Sequence, residues 1–309
     1  MQMNVQKGNS VFIVTKPLQY FNASNILDNN IRICLIVDYF KSARKIFEKI
    51  NRSSNLWDET YFFESTFDAC RWILKNKKNV RNLYIDGDYG FRKYLFFYRL
   101  SLKNVYVYEE GIAAYFANLK DNNLRNNWVI KLFYSFLGHQ NYLGGSKYTK
   151  GIYIYDIEKH RACIPACNKE LKYFKEPFIQ HLDNFEDKDL LLTEKTKHII
   201  ESVKKRKVIL YLATWSLGSN VNSPNYSSDI SNMLIHYHDY IKILKPHPHI
   251  RQELIEYKEI FDFCITGEDL AEYVIFEVLK EAEELIVIHH GSSALLYFEE
   301  QNKLKSIVI

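Results

Sequence analysis

The chain has 309 residues, 47% hydrophobic and 25% charged, so it can bury more than one core and lacks the composition of a long disordered tract. A formal net charge of +4, from 41 basic and 37 acidic residues without a long basic block, excludes a dedicated nucleic-acid binder. Aromatic residues reach 15%, with 23 Tyr and 20 Phe, which predicts aromatic-rich cores.

Short β-branched and aromatic runs alternate with longer helical patterns, the signature of a parallel α/β architecture. The polar start, Met1 to Ser10, lacks the apolar stretch of a secretory signal. No later segment offers about 18 uninterrupted apolar residues, so a cytoplasmic protein is expected. The first strand is predicted at Val11 to Thr15. Pro17 follows it directly and is preset for a first helical turn, so Thr15 to Ala23 reads as strand, tight turn and helix. That turn brings Gln19 and Asn22 to the carboxyl edge of the sheet.

Further strands are predicted at Ile33 to Val37, Asn82 to Ile85, Val105 to Tyr108 and Ile152 to Tyr155. Asp86-Gly87-Asp88, and later Asp187-Lys188-Asp189, read as solvated turn or helix acids, not metal ligands. Arg92 to Arg99 and Trp128 to Leu137 mix bases with aromatics. Such stretches suit ordinary core helices, and also peripheral contact with the anionic face of an inner membrane. The five cysteines, Cys34, Cys70, Cys163, Cys167 and Cys264, are odd in number and read as reduced buried thiols. Cys163 and Cys167 beside His160 form one Cys-x3-Cys with no second pair, a structural arrangement more than a zinc set.

Val105-Tyr106-Val107-Tyr108 runs straight into Glu109-Glu110-Gly111. Open α/β sheets present functional groups at the carboxyl ends of their strands, and Gly111 permits a sharp exit. Neighbours on an extended strand point to opposite faces, so at most one of the two glutamates faces a given cleft and the other anchors the structure.

From Glu158 to Arg206 the strands are expected to disappear, with Pro165 and Pro177 as breakers. Residues 1–160 therefore read as an N-terminal Rossmann-like domain, 161–206 as a helical connector and 207–309 as a smaller C-terminal Rossmann-like domain. In the second half, strands are predicted at Val208 to Ala213, Tyr240 to Leu244, Phe261 to Ile265 and Leu285 to Ile288, with Ser306 to Ile309 as a last one. The second of these leads into Lys245-Pro246-His247-Pro248-His249, where two prolines hold His247 extended, a setting suited to general-acid or phosphate-binding work. Ile288-His289-His290-Gly291-Ser292-Ser293 reads as a strand, a glycine turn and a helix opening on two serines, which can bind a phosphate through free amides and hydroxyls. Before it, Tyr273 to Leu279 reads as an apolar helix carrying one carboxylate, Glu277.

In type and order these residues resemble bacterial two-domain GT-B sialyltransferases, which decorate lipooligosaccharide, O-antigen or capsule from CMP-sialic acid. That group carries an acidic pair followed by glycine, then Lys-x-His-Pro, a Phe-Glu-Val-Leu-like helix and a Ser-Ser pair. The matching residues here are Glu109-Glu110-Gly111, Lys245-Pro246-His247-Pro248, Phe276-Glu277-Val278-Leu279 and Ser292-Ser293. Pro17-Leu18-Gln19 with Asn22-Ala23 also looks like the start of several members. The chain departs from the pattern in having Glu-Glu where many have Asp-Asp, Ile112 where some have serine, and Pro246 where others have glycine.

The resemblance implies a GT-B fold, two Rossmann-like domains facing each other across a cleft, and an inverting displacement with no cofactor and no metal. It implies Glu109 as general base, with Glu110 beside it, and His247 as the group that protonates or hydrogen-bonds the departing phosphate. Ser292, Ser293 and Gly291 would hold the phosphate, Lys245 and Pro246 would adjoin the nucleotide, and Glu277 would take the ribose hydroxyls. The implied partners are a nucleotide-sugar donor and an oligosaccharide or glycolipid acceptor with a terminal galactoside. A transferase using another CMP-sugar, Kdo, a glycan- or nucleotide-binding module without catalysis, and an interfacial scaffold using its basic aromatic helices are the competing readings.

Overall fold

The computed structural model describes residues 8–40, 43–53, 55–101, 104–117, 132, 134–214, 226–248, 250, 257, 259–298 and 301–309. Half of the 128–137 stretch, residues 128–131 and 133, and His249 lie outside the described residues. The chain divides into two compact units, Met1–His181 and Leu182–Ile309.

Unit 1 holds β1 (Asn9–Val14), β2 (Ile31–Val37), β3 (Glu59–Phe63), β4 (Val80–Ile85), β5 (Val105–Tyr108), β6 (Thr149–Ile154) and β7 (Glu170–Tyr173). They form one sheet in the order β3-β2-β1-β4-β5-β6-β7, and every pair in it is parallel. Its helices are α1 (Pro17–Ser24), α2 (Ala43–Ser53), α3 (Thr66–Lys75), α4 (Phe91–Leu100) and α5 (Ile157–Cys163), and α6 (Phe178–Asn184) runs across the division. Unit 2 holds α7 (Glu194–Ser202), β8 (Lys207–Leu212), α8 (Tyr226–Leu234), β9 (Ile241–Lys245), β10 (Phe263–Cys264), α9 (Ala271–Glu281), β11 (Glu284–His289) and β12 (Leu304–Val308). Its parallel sheet has the order β10-β9-β8-β11-β12. In each sheet the strand order reverses beside its first strand, between β1 and β4 and between β8 and β11. Crevices for ligands open at the carboxyl end of such switch points.

Strands covered on both faces lose the polar alternation of a half-exposed sheet. All four residues of β5 are buried, as are five of the six in β1 and in β8. Much of the aromatic excess stacks across unit 1's sheet. Phe12 lies 4.3 Å from Tyr84, and Tyr84 lies 5.2 Å from Tyr106. Their register carries this ladder from β1 through β4 to β5. The next position on β6 is Gly151, where a Cβ would come within 2.8 Å of the Glu170 carbonyl.

Several expectations change at this level. The stretch expected to be free of strands contains β7, and β3 was also not predicted. Both are edge strands with mixed polarity, Glu59 to Phe63 and Glu170 to Tyr173, so neither carries the apolar run of a central strand. Of the five free cysteines, only Cys34 is buried and Cys163 is exposed. On α4, Phe96 and Phe97 are buried while Leu95 and Tyr98 point outward.

Asp88 is no solvated turn acid: it is buried and accepts from the backbone amides of Gly144 and Ser146 and from the Thr149 hydroxyl, at 2.7–3.0 Å. Burial works against its ionisation, yet His139, Thr149 and Ser146 outweigh it and hold the carboxyl below its ordinary range. Asp88 thereby ties the segment around residues 144–149 to the end of β4. No helix among the described residues is long and apolar enough to cross a membrane.

Candidate functional site

Glu109 and Glu110 leave β5 on opposite faces and meet different surroundings. Glu109 is completely buried. Its Oε2 accepts from the Tyr155 amide at 2.8 Å and the Tyr115 hydroxyl at 3.0 Å. Its own amide donates to the Tyr153 carbonyl, so its backbone and side chain extend the β5–β6 ladder past the last strand residue. The buried side chain of Asn22 donates to the Glu109 carbonyl at 2.7 Å and accepts from the Tyr155 hydroxyl at 2.9 Å. Glu109, expected to meet the acceptor, is thus placed as the anchor of the strand end, and Asn22 belongs to the same anchor. Gly111 adopts φ 74° and starts a 3-10 turn, Gly111–Tyr115.

Glu110 keeps 18% of its side chain exposed and sits among groups from three strand ends. Lys16, after β1, pairs with its Oε1, and the Gln19 amide nitrogen donates to its Oε2 at 3.0 Å. The same nitrogen donates to Oδ2 of Asp86, after β4, at 3.0 Å. Lys93 on α4 pairs with Oδ1 of Asp86 at 3.2 Å and donates to the Gly87 carbonyl at 2.7 Å. Pro17 at the first turn of α1 sets Gln19 over this edge, and the Thr15 amide fixes the Gln19 carbonyl at 2.6 Å. Burial, together with the neighbouring Asp86 charge, lifts the Glu110 carboxyl above its ordinary 4.5 against the pull of Lys16. Burial works to lower the Lys16 ammonium, but Glu110 and Asp86 outweigh it and the group is raised. Beside the network lies a pocket of about 340 Å³, walled by Ile13, Ile85, Phe96 and Phe97, with Lys16, Asp86 and Lys93 on its polar side. It lies at unit 1's switch point.

In unit 2, β9 ends in Lys245, and Pro246 and half-buried His247 follow it. Lys245, expected to adjoin the nucleotide, is almost wholly buried. Its ammonium donates to the Pro246 carbonyl at 3.1 Å and to the Gly267 carbonyl at 3.4 Å, bracing the His247 turn from beneath. Gly267 packs so close that a Cβ there would lie 3.2 Å from the His247 carbonyl. Burial pushes the Lys245 ammonium down to about 8, opposed by Asp269 and Glu272. The folded value lies below the ordinary 10.5, so the folded chain binds fewer protons between the two and stability climbs as pH rises from about 8 to 10.5. Urea denaturation of wild type and Lys245→Met across that range is expected to show the difference moving in favour of wild type. A constant difference would contradict a buried, depressed lysine.

β11 ends at the other side of unit 2's switch point. His289 Nδ1 accepts from the Ser292 amide at 2.8 Å, which leaves Nε2 to donate to Ser306 Oγ at 2.9 Å. Burial and the adjacent His290 keep His289 below its ordinary value. Gly291 has φ 74° with open space where a Cβ would sit. The helix expected after the serine pair is a single 3-10 turn, Ser293–Leu295, capped by Ser292 Oγ accepting from the Ala294 amide at 3.2 Å. With its amide and oxygen so engaged, Ser292 is not the free amide of a helix start, and Ser293 is partly exposed.

Glu277 lies in the second turn of α9, 3.8 Å from Lys280 and hydrogen-bonded by Tyr273. Glu272, in the first turn and buried, is the α9 carboxylate whose charge reaches Lys245. Sequence reasoning missed Lys16, Lys93 and Glu272, and it read Asp86 as solvated. The available signal was position: Lys16 and Asp86 each stand just beyond a predicted strand.

Two parallel, doubly wound α/β units, each with functional residue types at its switch point, define the GT-B class of fold, shared by glycosyltransferases and other nucleotide-sugar enzymes. Among solved structures, UDP-GlcNAc 2-epimerase from Methanocaldococcus jannaschii, in complex with UDP-GlcNAc and UDP, is similar with a TM-score of 0.59 at 13% identity, over 97% of this chain and 88% of that one. MnaA from S. aureus with UDP has a TM-score of 0.53 at 12% identity, covering 93% and 75% of the two chains. The wall teichoic acid polymerase TagF has 0.51 at 13%, covering 94% and 73%. At these identities the likeness is one of fold. No protein-family model and no curated protein matches the sequence.

Proposed function

We propose that this chain is an inverting, metal-independent glycosyltransferase that moves sialic acid from CMP-sialic acid to a hydroxyl of a terminal glycan of a bacterial surface polysaccharide. The observation that supports it best is where the motif positions fall. Glu110 follows β5, His247 follows β9 and Ser292-Ser293 follow β11, each at the carboxyl end of a parallel strand. Short accidental matches have no reason to collect at those edges.

In this reading Glu110, and not the buried Glu109, takes the acceptor proton. The acceptor oxygen then bonds to the anomeric carbon of the sugar as the bond to the CMP phosphate breaks and its electron pair leaves with CMP. His247 meets the departing phosphate and Ser293 with the Gly291 turn adjoins it, supplying donors where negative charge develops. Glu277, partly exposed on α9, takes the ribose hydroxyls. In this reading the protein is cytoplasmic and takes an oligosaccharide or a glycolipid acceptor, the latter at the cytoplasmic face of the inner membrane.

The test incubates the full chain with CMP-sialic acid, CMP-Kdo or UDP-GlcNAc and a galactoside panel, with and without a chelator, and reads products by mass. Transfer from CMP-sialic acid, unchanged by the chelator, is expected. The complexes of similar folds with UDP-GlcNAc and UDP favour a second reading, a UDP-sugar enzyme, and turnover of UDP-GlcNAc alone would establish it.

A further inference from the structure

We propose that Asp86 and Glu110 form a two-carboxylate subsite that takes two neighbouring hydroxyls of one sugar, so that the acceptor is a neutral glycan residue presenting a vicinal diol. The inference rests on the transferase reading for the role of Glu110, and it adds Asp86 as the residue that selects the acceptor.

The geometry begins with Gln19, which is fully buried and cannot turn. Its carbonyl oxygen accepts from the Thr15 amide at 2.6 Å and the Thr15 hydroxyl at 3.0 Å, so its NH2 group must face the carboxylates. That nitrogen lies 3.0 Å from Asp86 Oδ2 and 3.0 Å from Glu110 Oε2. The two inner oxygens therefore stand at most twice that length apart. The outer oxygens are held by the lysines, Glu110 Oε1 by Lys16 and Asp86 Oδ1 by Lys93. A carboxylate oxygen accepts through two lone pairs, so each inner oxygen retains a position beyond its bond to Gln19.

Both carboxylates are partly open to solvent, Asp86 at 26% and Glu110 at 18%. Two acceptors within about two hydrogen-bond lengths of each other can be met by two donors about one hydrogen-bond length apart, the spacing of adjacent ring hydroxyls, each leaning outward to its own acceptor. Two lysines balance the two carboxylates, so no net field draws an anionic ligand. The adjoining pocket of about 340 Å³ has an apolar wall including Phe96 and Phe97 for the C–H face of a ring. One hydroxyl then gives its proton to Glu110, while its neighbour donates to Asp86 and fixes which oxygen reacts.

The test uses the full chain without any donor. Methyl β-galactopyranoside and its 2-, 3- and 4-deoxy analogues are titrated by ligand-observed NMR against wild type and Asp86→Asn. For wild type, two deoxy analogues, at adjacent ring positions, are expected to bind about tenfold or more weakly than the parent, the scale of a hydrogen bond to a charged group. Asp86→Asn, whose oxygen still faces Gln19 but carries no charge, should shrink one of those two losses and keep the other at full size. The subsite is overturned if all the deoxy analogues bind like the parent, if the losses fall on non-adjacent positions, if Asp86→Asn leaves both losses at full size, or if no glycoside binds at tens of millimolar. The wild-type series decides the matter even where the variant fails to fold. Discrimination without transfer from any nucleotide sugar would sink the transferase reading and leave the subsite standing.

Discussion

Glu110→Gln is expected to lower kcat/KM for glycosyl transfer by about a hundred- to ten-thousand-fold, the scale of losing a positioned general base, while CMP binding is retained. Glutamine preserves the shape of the side chain and can still accept from Gln19, but it cannot take a proton. The Lys16 ammonium left behind keeps 43% of its side chain in solvent and can be hydrated there, so the fold should hold. The folded-state carboxyl lies above 4.5, chiefly through burial, so wild-type kcat/KM should fall as pH drops through that raised value. Single-turnover rates and calorimetric CMP titration check both halves. A folded Glu110→Gln at near-normal rate, beside a folded but inactive Glu109→Gln, would reverse the assignment of the two carboxylates.

Glu109→Ala is expected to cost about 2–6 kcal/mol of stability, since two buried donors each lose their acceptor at about 1–3 kcal/mol. Truncation leaves the Tyr155 amide and the Tyr115 hydroxyl without the oxygen they share, inside the sheet where water cannot replace it. The backbone bond from residue 109 to the Tyr153 carbonyl remains, and what is lost is the side-chain link that carries the strand end on to Tyr155. Glu109→Gln should cost less, since an amide oxygen can still accept from both donors. Urea denaturation should show a lower midpoint with little change in slope. A stable Glu109→Ala would mean that the anchor is dispensable and that Glu109 is free for another role.

The parallel α/β architecture was legible because doubly covered strands leave apolar runs such as Val105 to Tyr108, and because Pro17 and Gly111 mark sharp exits from strands. The edge strands β3 and β7 were not legible, since pairing on one side only leaves little apolar demand on their residues. Alternation along β5 showed that Glu109 and Glu110 must part, but the choice between them depends on Tyr115, Tyr155, Lys16 and Gln19, which come from other segments. For the same reason Asp86 and Asp88, two residues apart, could not be told from solvated acids. One joins Gln19 and Lys93, the other the segment around residues 144–149. Lys245 was visible as part of a motif, whereas its burial beneath the His247 turn follows from the carbonyls of a loop some twenty residues later.

The central claim is a single displacement in which Glu110, just after β5, deprotonates the acceptor as CMP departs. NMR of the glycosidic linkage formed from CMP-sialic acid, followed from the first turnovers, tests it most directly. The anomeric configuration of the product is predicted to be opposite to that of the donor. Retention of the donor's configuration would require a second displacement and would contradict the account.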